Sequence, residues 1–290
     1  MRINNGVMTD NMMRNLEKNM ERLDKLNQQL SSGKKFSNPS ENPIGVADSM
    51  ELSSIISNHD QYLRNIGEAK DWMASTESAL KNSGKILQRA REQAVYGANG
   101  SLSENDRKQI ATEVGQLKDE LINVANSKLG ERFLFAGQKT NMDDQPFDAD
   151  GNYQGDGRAL RREVSPGVKM KINTDGKELF EDAIAKLDDL ETALNDNDQN
   201  AIDNSIGELD DSLNANIQER ATVGAKMNRL DLAESKLDEE KIQSQELLSN
   251  NEDVDIAKTI TDLKMQENVY RASLASGARI MQPTLVDFLQ

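Results

Sequence analysis

The feature that most constrains this chain is a row of mainly apolar side chains at alternating steps of three and four residues. Near the start of the chain, the row consists of Met13, Leu16, Met20, Leu23, Asn27 and Leu30. This is the a/d spacing of an α-helix that packs against another helix. We expect the helix to end at Gly33, because glycine can take the left-handed conformation that closes a helix. A second helix should start at Asn42-Pro43, with Asn as the cap and Pro in the first turn.

The same spacing returns close to the other end of the chain. It is carried there by Ile256, Ile260, Leu263, Glu267, Tyr270, Leu274, Gly277 and Met281. Such a narrow row cannot bury itself, so each helix needs a partner. The spacing leaves two alternatives open: the terminal helices pair with each other, or they pair with neighbouring copies or other proteins. The predicted assembly interface is Met13, Leu16, Met20, Leu23, Leu30, Ile256, Ile260, Leu263, Tyr270, Leu274, Met281, Leu285 and Phe288.

Between these ends, the sequence predicts four further helical stretches, one of them from Leu179 to Leu194, and one β-rich stretch. A helix from Pro43 should end near Gly97, and Ser103 should cap the next one. The longest heptad register runs from Ile202 to Leu248, and polar residues at its seam after Leu237 predict contact with solvent or another chain. Residues 131–179 are rich in Gly, Asp, Asn and Pro. They contain strand candidates at 132–137, 160–164 and 168–172.

The predicted fold class is therefore mainly α: an elongated helical rod or coiled-coil bundle with a small β-rich insertion. The aromatic content of 4% and mean hydropathy of −0.73 favour thin helical packing over a large compact core. We divide the chain into terminal assembly segments (1–42 and 251–290), a helical rod domain (43–130 and 180–250) and the β-rich insertion (131–179).

Charge and residue usage exclude several classes of function. A net charge of −15 repels phosphate backbones, so nucleic-acid binding is not expected. The sequence has no apolar run of the length that spans a bilayer, and its start lacks the apolar core of a signal peptide. We therefore expect no membrane association.

Catalytic and metal-binding patterns are also missing from the sequence. There is no cysteine and only one histidine, His59, which we interpret as a surface imidazole outside the Ile55–Tyr62 seam. A nucleophile–base pair or a zinc site is thus not predicted. The Asp148–Gly151 stretch fails the calcium-loop pattern. We expect no enzyme activity, no cofactor and no metal.

One group of motifs resembles a known family. Residues 30–35, Leu-Ser-Ser-Gly-Lys-Lys, and 38–45, Asn-Pro-Ser-Glu-Asn-Pro-Ile-Gly, resemble the N-terminal signature of the flagellin superfamily. The Pro39–Pro43 form is typical of its hook–filament junction proteins, although Glu41-Asn42 replaces the usual two acids. Similar pieces recur along the chain, at 1–3, 89–94, 134–137, 223–230 and 287–289.

The resemblance implies a secreted structural protein, exported unfolded by the flagellar type III apparatus, with an export chaperone and without a cleaved signal. Its partners would be hook-associated protein 1, flagellin and further copies of itself in a ring of subunits. Its termini would be mobile in the monomer and form a coiled-coil layer on assembly. Two alternatives stay open: a short flagellin that forms the filament itself, and a cytosolic coiled-coil adaptor.

Overall fold

A computed structural model describes the chain from Arg2 to Met281, with side chains from Gly6 to Arg279. This part contains six α-helices: α1 (Arg2–Ser32), α2 (Pro43–Gly97), α3 (Glu104–Ala125), α4 (Asp182–Asn195), α5 (Gln199–Glu252) and α6 (Ile256–Met281). Its four strands are β1 (Lys128–Leu129), β2 (Arg132–Phe133), β3 (Arg161–Ser165) and β4 (Val168–Lys171). The prediction of a mainly α fold with a small β-rich insertion is confirmed.

The chain forms two compact units. The first combines Met1–Ser57 with Glu240–Gln290, and the second comprises Asn58–Glu239. Helices α2 and α5 are each long enough to contribute residues to both units.

The core of the second unit follows the predicted heptads. In α5, every seventh side chain from Ile202 to Leu237 is buried, and α2 repeats this pattern from Ile66 to Ala94. A buried position every seven residues keeps one stripe of a helix turned toward its neighbours. Ser103 caps α3 through a reciprocal capping box with Asp106, as predicted.

Two predictions about the edges of these seams are wrong. His59 is only 8% exposed, whereas we expected a surface imidazole. It lies four residues after Ile55 and three before Tyr62, which is a position within the seam. Ser244, in the first unit, is buried within this chain, at a seam position where contact with solvent or another chain was expected. Its hydroxyl donates to the Glu240 carbonyl at 2.8 Å, and this bond within the helix satisfies the hydroxyl.

The β-rich insertion consists of two antiparallel pairs, β1–β2 and β3–β4. The apolar stretch expected as a strand at 132–137 pairs only at Arg132–Phe133. The next three residues, Leu134 to Ala136, are buried without strand pairing. Phe135 packs against Phe180 with ring centroids 4.7 Å apart, and Phe147 lies 5.9 Å from the same ring. This aromatic cluster anchors the insertion to the π-helical turn Lys177–Glu181 that precedes α4.

Candidate assembly surface

Helices α1 and α6 pack against each other as an antiparallel pair within the first unit. An antiparallel bridge between Lys34 and Asp253 joins the end of α1 to the segment before α6. Leu16, Leu23 and Leu30 of α1 lie toward α6, and Leu263 and Tyr270 of α6 lie toward α1. All five side chains are half-buried, so the pair has a seam but no closed core.

A polar layer fixes the register of this pair. The Asn19 side-chain amide donates to the Ser273 hydroxyl at 3.3 Å, and its oxygen accepts from the Gln266 amide at 3.2 Å. An amide at a seam position favours one alignment, since any shift would leave it without these partners. Farther along, a β-carbon at Gly277 would overlap the Met12 side chain, so the two helices approach closely there.

The thirteen predicted interface residues occupy three different environments. Leu16, Leu23, Leu30, Leu263 and Tyr270 lie in the seam. Met13, Met20, Ile256, Ile260 and Leu274 are exposed. Met281 ends α6, but its side chain is outside the described residues, as are Leu285 and Phe288 altogether. The role of all thirteen in assembly stays a prediction.

The predicted row of α1 combines residues from two neighbouring rows of the helix, and only one of these rows forms the seam. Apart from Gln29, the half-buried positions of α1 are Thr9, Met12, Leu16, Asn19, Leu23, Leu26 and Leu30. Met13 and Met20 each follow one of these by a single residue, which rotates them by about 100° around the helix. Met12 and Leu26 are not in the predicted row, although counting back from Leu30 in steps of four and three reaches both.

Met13 and Met20 lie on one side of the helix pair together with exposed apolar residues of α6. In a heptad, position e directly follows the seam position d. In an antiparallel helix pair, the e positions of both helices lie on the same side of the pair. Met13 and Met20 of α1 (59% and 61% exposed) therefore share a side with Ile260 and Leu274 of α6 (46% and 44% exposed). We call these four residues the e-row. Asn27 and Glu267 lie on the same side of the pair, so polar residues interrupt this row. Single exposed apolar side chains are ordinary, whereas four on one side of a helix pair indicate an interaction surface.

The opposite side of the pair is mostly polar. It carries Asn15, Arg22 and Gln29 from α1 and Asp262 from α6, with Val269 as an apolar member. The pair is consequently amphipathic as a unit, with one side suited to helix packing and the other to solvent.

A clamp of backbone bonds joins the end of α1 to the turn between α5 and α6. Gly33 takes a φ of 73°, which closes α1 as predicted. The Lys35 N–H donates to the Glu252 carbonyl at 2.6 Å, and the Val254 N–H donates to the Gly33 carbonyl at 2.9 Å. These reciprocal bonds fix where the terminal pair leaves the clamp.

The basic pair at 34–35 neutralises the end of α5. The Lys35 ammonium donates to the Asn250 carbonyl at 2.7 Å, and Lys34 forms an ion pair with Glu252 at 2.9 Å. The last carbonyls of a helix carry partial negative charge and lack partners within the helix. Both lysines therefore act at a helix C-terminus.

In the turn-rich loop that follows, the side chains of Glu41 and Asn42 accept hydrogen bonds from backbone N–H groups. The Glu41 carboxylate accepts from the Ser37 N–H at 2.9 Å, and this bond, with a longer one from Asn38, lowers the pKa of Glu41. Asn42 accepts from the Gly45 N–H at 3.1 Å and so caps α2, as predicted. The second residue of the Glu41-Asn42 pair thus serves as the helix cap.

Gly45, near the start of α2, is closely surrounded by other side chains. A β-carbon there would come within 2.8 Å of the buried Phe36 ring. Its carbonyl accepts from the Asn251 side-chain amide at 2.7 Å, and the same amide donates to the Ser49 hydroxyl at 2.9 Å. The start of α2 and the end of α5 are thereby held together at the base of the terminal pair.

Within the described residues, no cluster of His, Cys, Asp and Glu has the arrangement to hold a metal ion. Between Arg2 and Met281, none of the helices combines the length and apolarity needed to cross a bilayer.

Comparison with known proteins agrees with this geometry. Residues 3–140 match the bacterial flagellin N-terminal helical region, and residues 206–289 match the bacterial flagellin C-terminal helical region. Flagellar hook-associated protein 3 of Salmonella typhimurium is 30% identical, over 94% of this chain and 95% of that protein. Its Escherichia coli counterpart is 29% identical, with the same coverage of both chains.

Solved structures show the same relationship. The crystal structure of Bacillus cereus FlgL is similar with a TM-score of 0.62 at 25% identity, covering 69% of this chain and 99% of that one. A flagellar hook-associated protein structure from Vibrio parahaemolyticus has a TM-score of 0.68 at 24% identity and covers 73% of this chain and all of that one.

The paired terminal helices and the two matching regions define a protein of the flagellin type. Within that class, the chain belongs to the flagellar hook-associated protein 3 family. It is a structural component of the bacterial flagellum, from a family of structural proteins and not of enzymes.

Proposed function

We propose that this protein forms the junction between the hook end and the filament of the flagellum. The observation that carries the proposal is the e-row beside a half-buried seam. The seam accounts for pairing of α1 with α6 inside one chain. It leaves Met13, Met20, Ile260 and Leu274 available for helices of neighbouring subunits.

The proposed partners are hook-associated protein 1 on the hook side, flagellin on the filament side and further copies of this chain in the same layer. Terminal segments 1–42 and 251–290 would gain their final order on assembly, with the insertion 131–179 exposed. Completing their order at that step costs conformational entropy and opposes premature polymerisation. Export through the type III apparatus, with a chaperone and no cleaved signal, places the assembled protein outside the cell.

The test is addition of the purified full-length protein to isolated hooks, with and without hook-associated protein 1, followed by electron microscopy. We expect that the purified protein alone forms no filaments, and that it adds only to hooks that carry hook-associated protein 1. Long filaments from the protein alone would establish the flagellin alternative. Failure to add to either kind of hook would overturn the proposal.

A pair of matched variants isolates the e-row. Met20→Asp puts a charge on this row, and Arg22→Asp puts one on the polar side of the same helix turn. We expect Met20→Asp to abolish addition to hooks, because the charge would be buried without a partner, and Arg22→Asp to retain it. Equal addition by both variants would show that the e-row is not the assembly surface.

A further inference from the structure

Charge is distributed unevenly within the second unit. Residues 158–171 carry five cationic side chains and one carboxylate, although the whole chain has a net charge of −15. Residues 187–219, by contrast, carry ten carboxylates and no lysine or arginine. We call the first segment the basic hairpin and the second the acidic strip.

The basic hairpin contains a pairing that is unfavourable on its own. Arg161 of β3 lies directly opposite Lys171 of β4. Like charges at opposed positions destabilise a two-stranded ladder. Glu163, opposite Lys169, offers limited relief because its carboxylate also accepts from the Gly167 N–H at 3.0 Å in the turn.

The surroundings of the hairpin add two carboxylates, those of Glu68 and Asp156. Arg158, Arg161 and Lys169 line an open hollow of about 840 Å³, and all three side chains are exposed. Arg162 reaches the Glu68 carboxylate at 3.4 Å. In the described part of the chain, the other four cations of the hairpin form no ion pair, although the charge of Arg158 acts on the Asp156 carboxylate. Anions from outside the chain can therefore approach Arg161 and Lys169, which are exposed.

The acidic strip has the complementary character. It covers most of α4 and the first part of α5. Some of its acids are paired within the unit: Lys118 holds Asp188 at 2.6 Å and Glu191 at 2.9 Å. Four others are exposed and form no ion pair in the described part, namely Asp189, Asp196, Glu208 and Asp211.

We propose that the basic hairpin of one copy binds the acidic strip of a second copy. The two patches differ, so the contact is heterologous, and its repetition produces a ring or an open helical array. This inference rests on the proposed function, which brings copies side by side. Complementary patches also suppress wrong pairings, because a hairpin against a hairpin, or a strip against a strip, would be repulsive.

A charge swap in the full-length protein tests the contact. Arg161→Glu with Lys169→Glu reverses the hairpin, and Asp196→Lys with Asp211→Lys reverses part of the strip. Sedimentation equilibrium at about 20 mM and about 500 mM salt measures self-association with and without electrostatic attraction. We expect the unmodified protein to associate more strongly at low salt, and each variant alone to associate at least about tenfold more weakly there.

Mixing the two variants gives the decisive result. Each then offers the other a complementary surface, so we expect the mixture to recover the low-salt association of the unmodified protein. Lys81→Glu with Lys85→Glu is the control, since it makes the same charge change at exposed positions of α2 and should have no such effect. A mixture that recovers nothing, a control that weakens association equally, or no salt-dependent association at all would overturn the inference.

The outcome is separable from that of the hook experiment. Sedimentation needs no hooks, so it tests the contact even if the protein adds to none. If the protein adds to hooks but the swapped mixture stays dissociated, the contact is wrong and the junction proposal stands.

Discussion

At the scale of single residues, Arg107 is the most consequential buried side chain of the second unit. It is a buried cation without a carboxylate partner in the described part of the chain. Its guanidinium donates to the carbonyls of Gly97 at 3.0 Å and Asn99 at 3.1 Å, and to the Gln199 side chain at 2.7 Å. Gly97 ends α2, Asn99 lies two residues after it, and Gln199 begins α5. The partial negative charge at the end of α2 compensates the buried cation.

We predict that Arg107→Met lowers the free energy of unfolding by about 3 kcal/mol, since several buried acceptors lose their donor at about 1 kcal/mol each. Denaturant unfolding followed by the fluorescence of Trp72, the only tryptophan, measures this. Lys85→Met, at an exposed position, is the control. A loss below about 0.5 kcal/mol, the range of ordinary surface changes, would show that Arg107 is not structural.

The loop carboxylate of Glu41 gives a prediction about pH. Its backbone hydrogen bonds, from Ser37 first and Asn38 second, lower its pKa below the ordinary value of 4.5. A lowered pKa means that ionisation favours the folded loop. This contribution is present above pH 4.5 and is lost as the pH falls through the folded-state pKa.

An NMR titration checks both statements. We expect the Glu41 carboxyl to titrate below 4.5 and the Ser37 and Asn38 amide signals to move with the same midpoint. In Glu41→Gln, that acid transition of the two amides should disappear. A carboxyl midpoint at or above 4.5 would contradict the role of these hydrogen bonds.

At the scale of helices and strands, the sequence predicted the heptad spacing of the seams better than it predicted which face of each helix is buried. In α5 every seventh predicted seam position from Ile202 to Leu237 is buried, whereas the predicted positions between them are half-buried. In α1 the methionines of the e-row lie next to the true seam and enlarge the apolar stripe. A single sequence cannot distinguish an apolar residue that faces its own chain from one that faces a partner.

The clamp shows a second limit of the same kind. The closing role of Gly33 and the capping role of Asn42 could be predicted, since each depends on local backbone conformation. The bonds from Lys35 to Glu252 and Asn250 join residues more than two hundred positions apart, and no periodicity encodes such contacts. Burial of Arg107 is equally non-local.

The seam and the e-row should respond differently to the same substitution. We predict that Leu23→Asp or Leu263→Asp lowers the helix content of the isolated protein, because each leucine is half-buried between α1 and α6. Both variants should also fail to join hooks. Met20→Asp should leave helix content unchanged, since its side chain is exposed.

Circular dichroism of the isolated variants, beside the hook assay, measures this difference. Normal helix content together with normal incorporation of Leu23→Asp and Leu263→Asp would contradict the pairing of α1 with α6. A loss of helix in Met20→Asp would place that residue in the seam.

At the scale of the whole molecule, the two units differ in how much of their surface is buried. The second has a contiguous core that includes Leu80, Leu87 and Leu187, each at most 2% exposed. In the first, the described apolar side chains between α1 and α6 are half-buried. Since apolar burial stabilises by about 25 cal/mol per Å², the terminal pair should open at a lower free-energy cost than the core of the second unit.

Trp72 makes this difference measurable, because it lies in the core of the second unit and reports on that unit alone. We predict that Leu80→Ala, at a fully buried position, destabilises the Trp72 transition by about 3 kcal/mol. Leu23→Asp should leave that transition in place while it abolishes the slow hydrogen exchange of the α1 and α6 amides. If Leu23→Asp instead shifts the Trp72 midpoint as far as Leu80→Ala does, the units unfold as one. Terminal helices that could not loosen separately would be incompatible with ordering on assembly. The proposed mechanism therefore requires the two transitions to be independent.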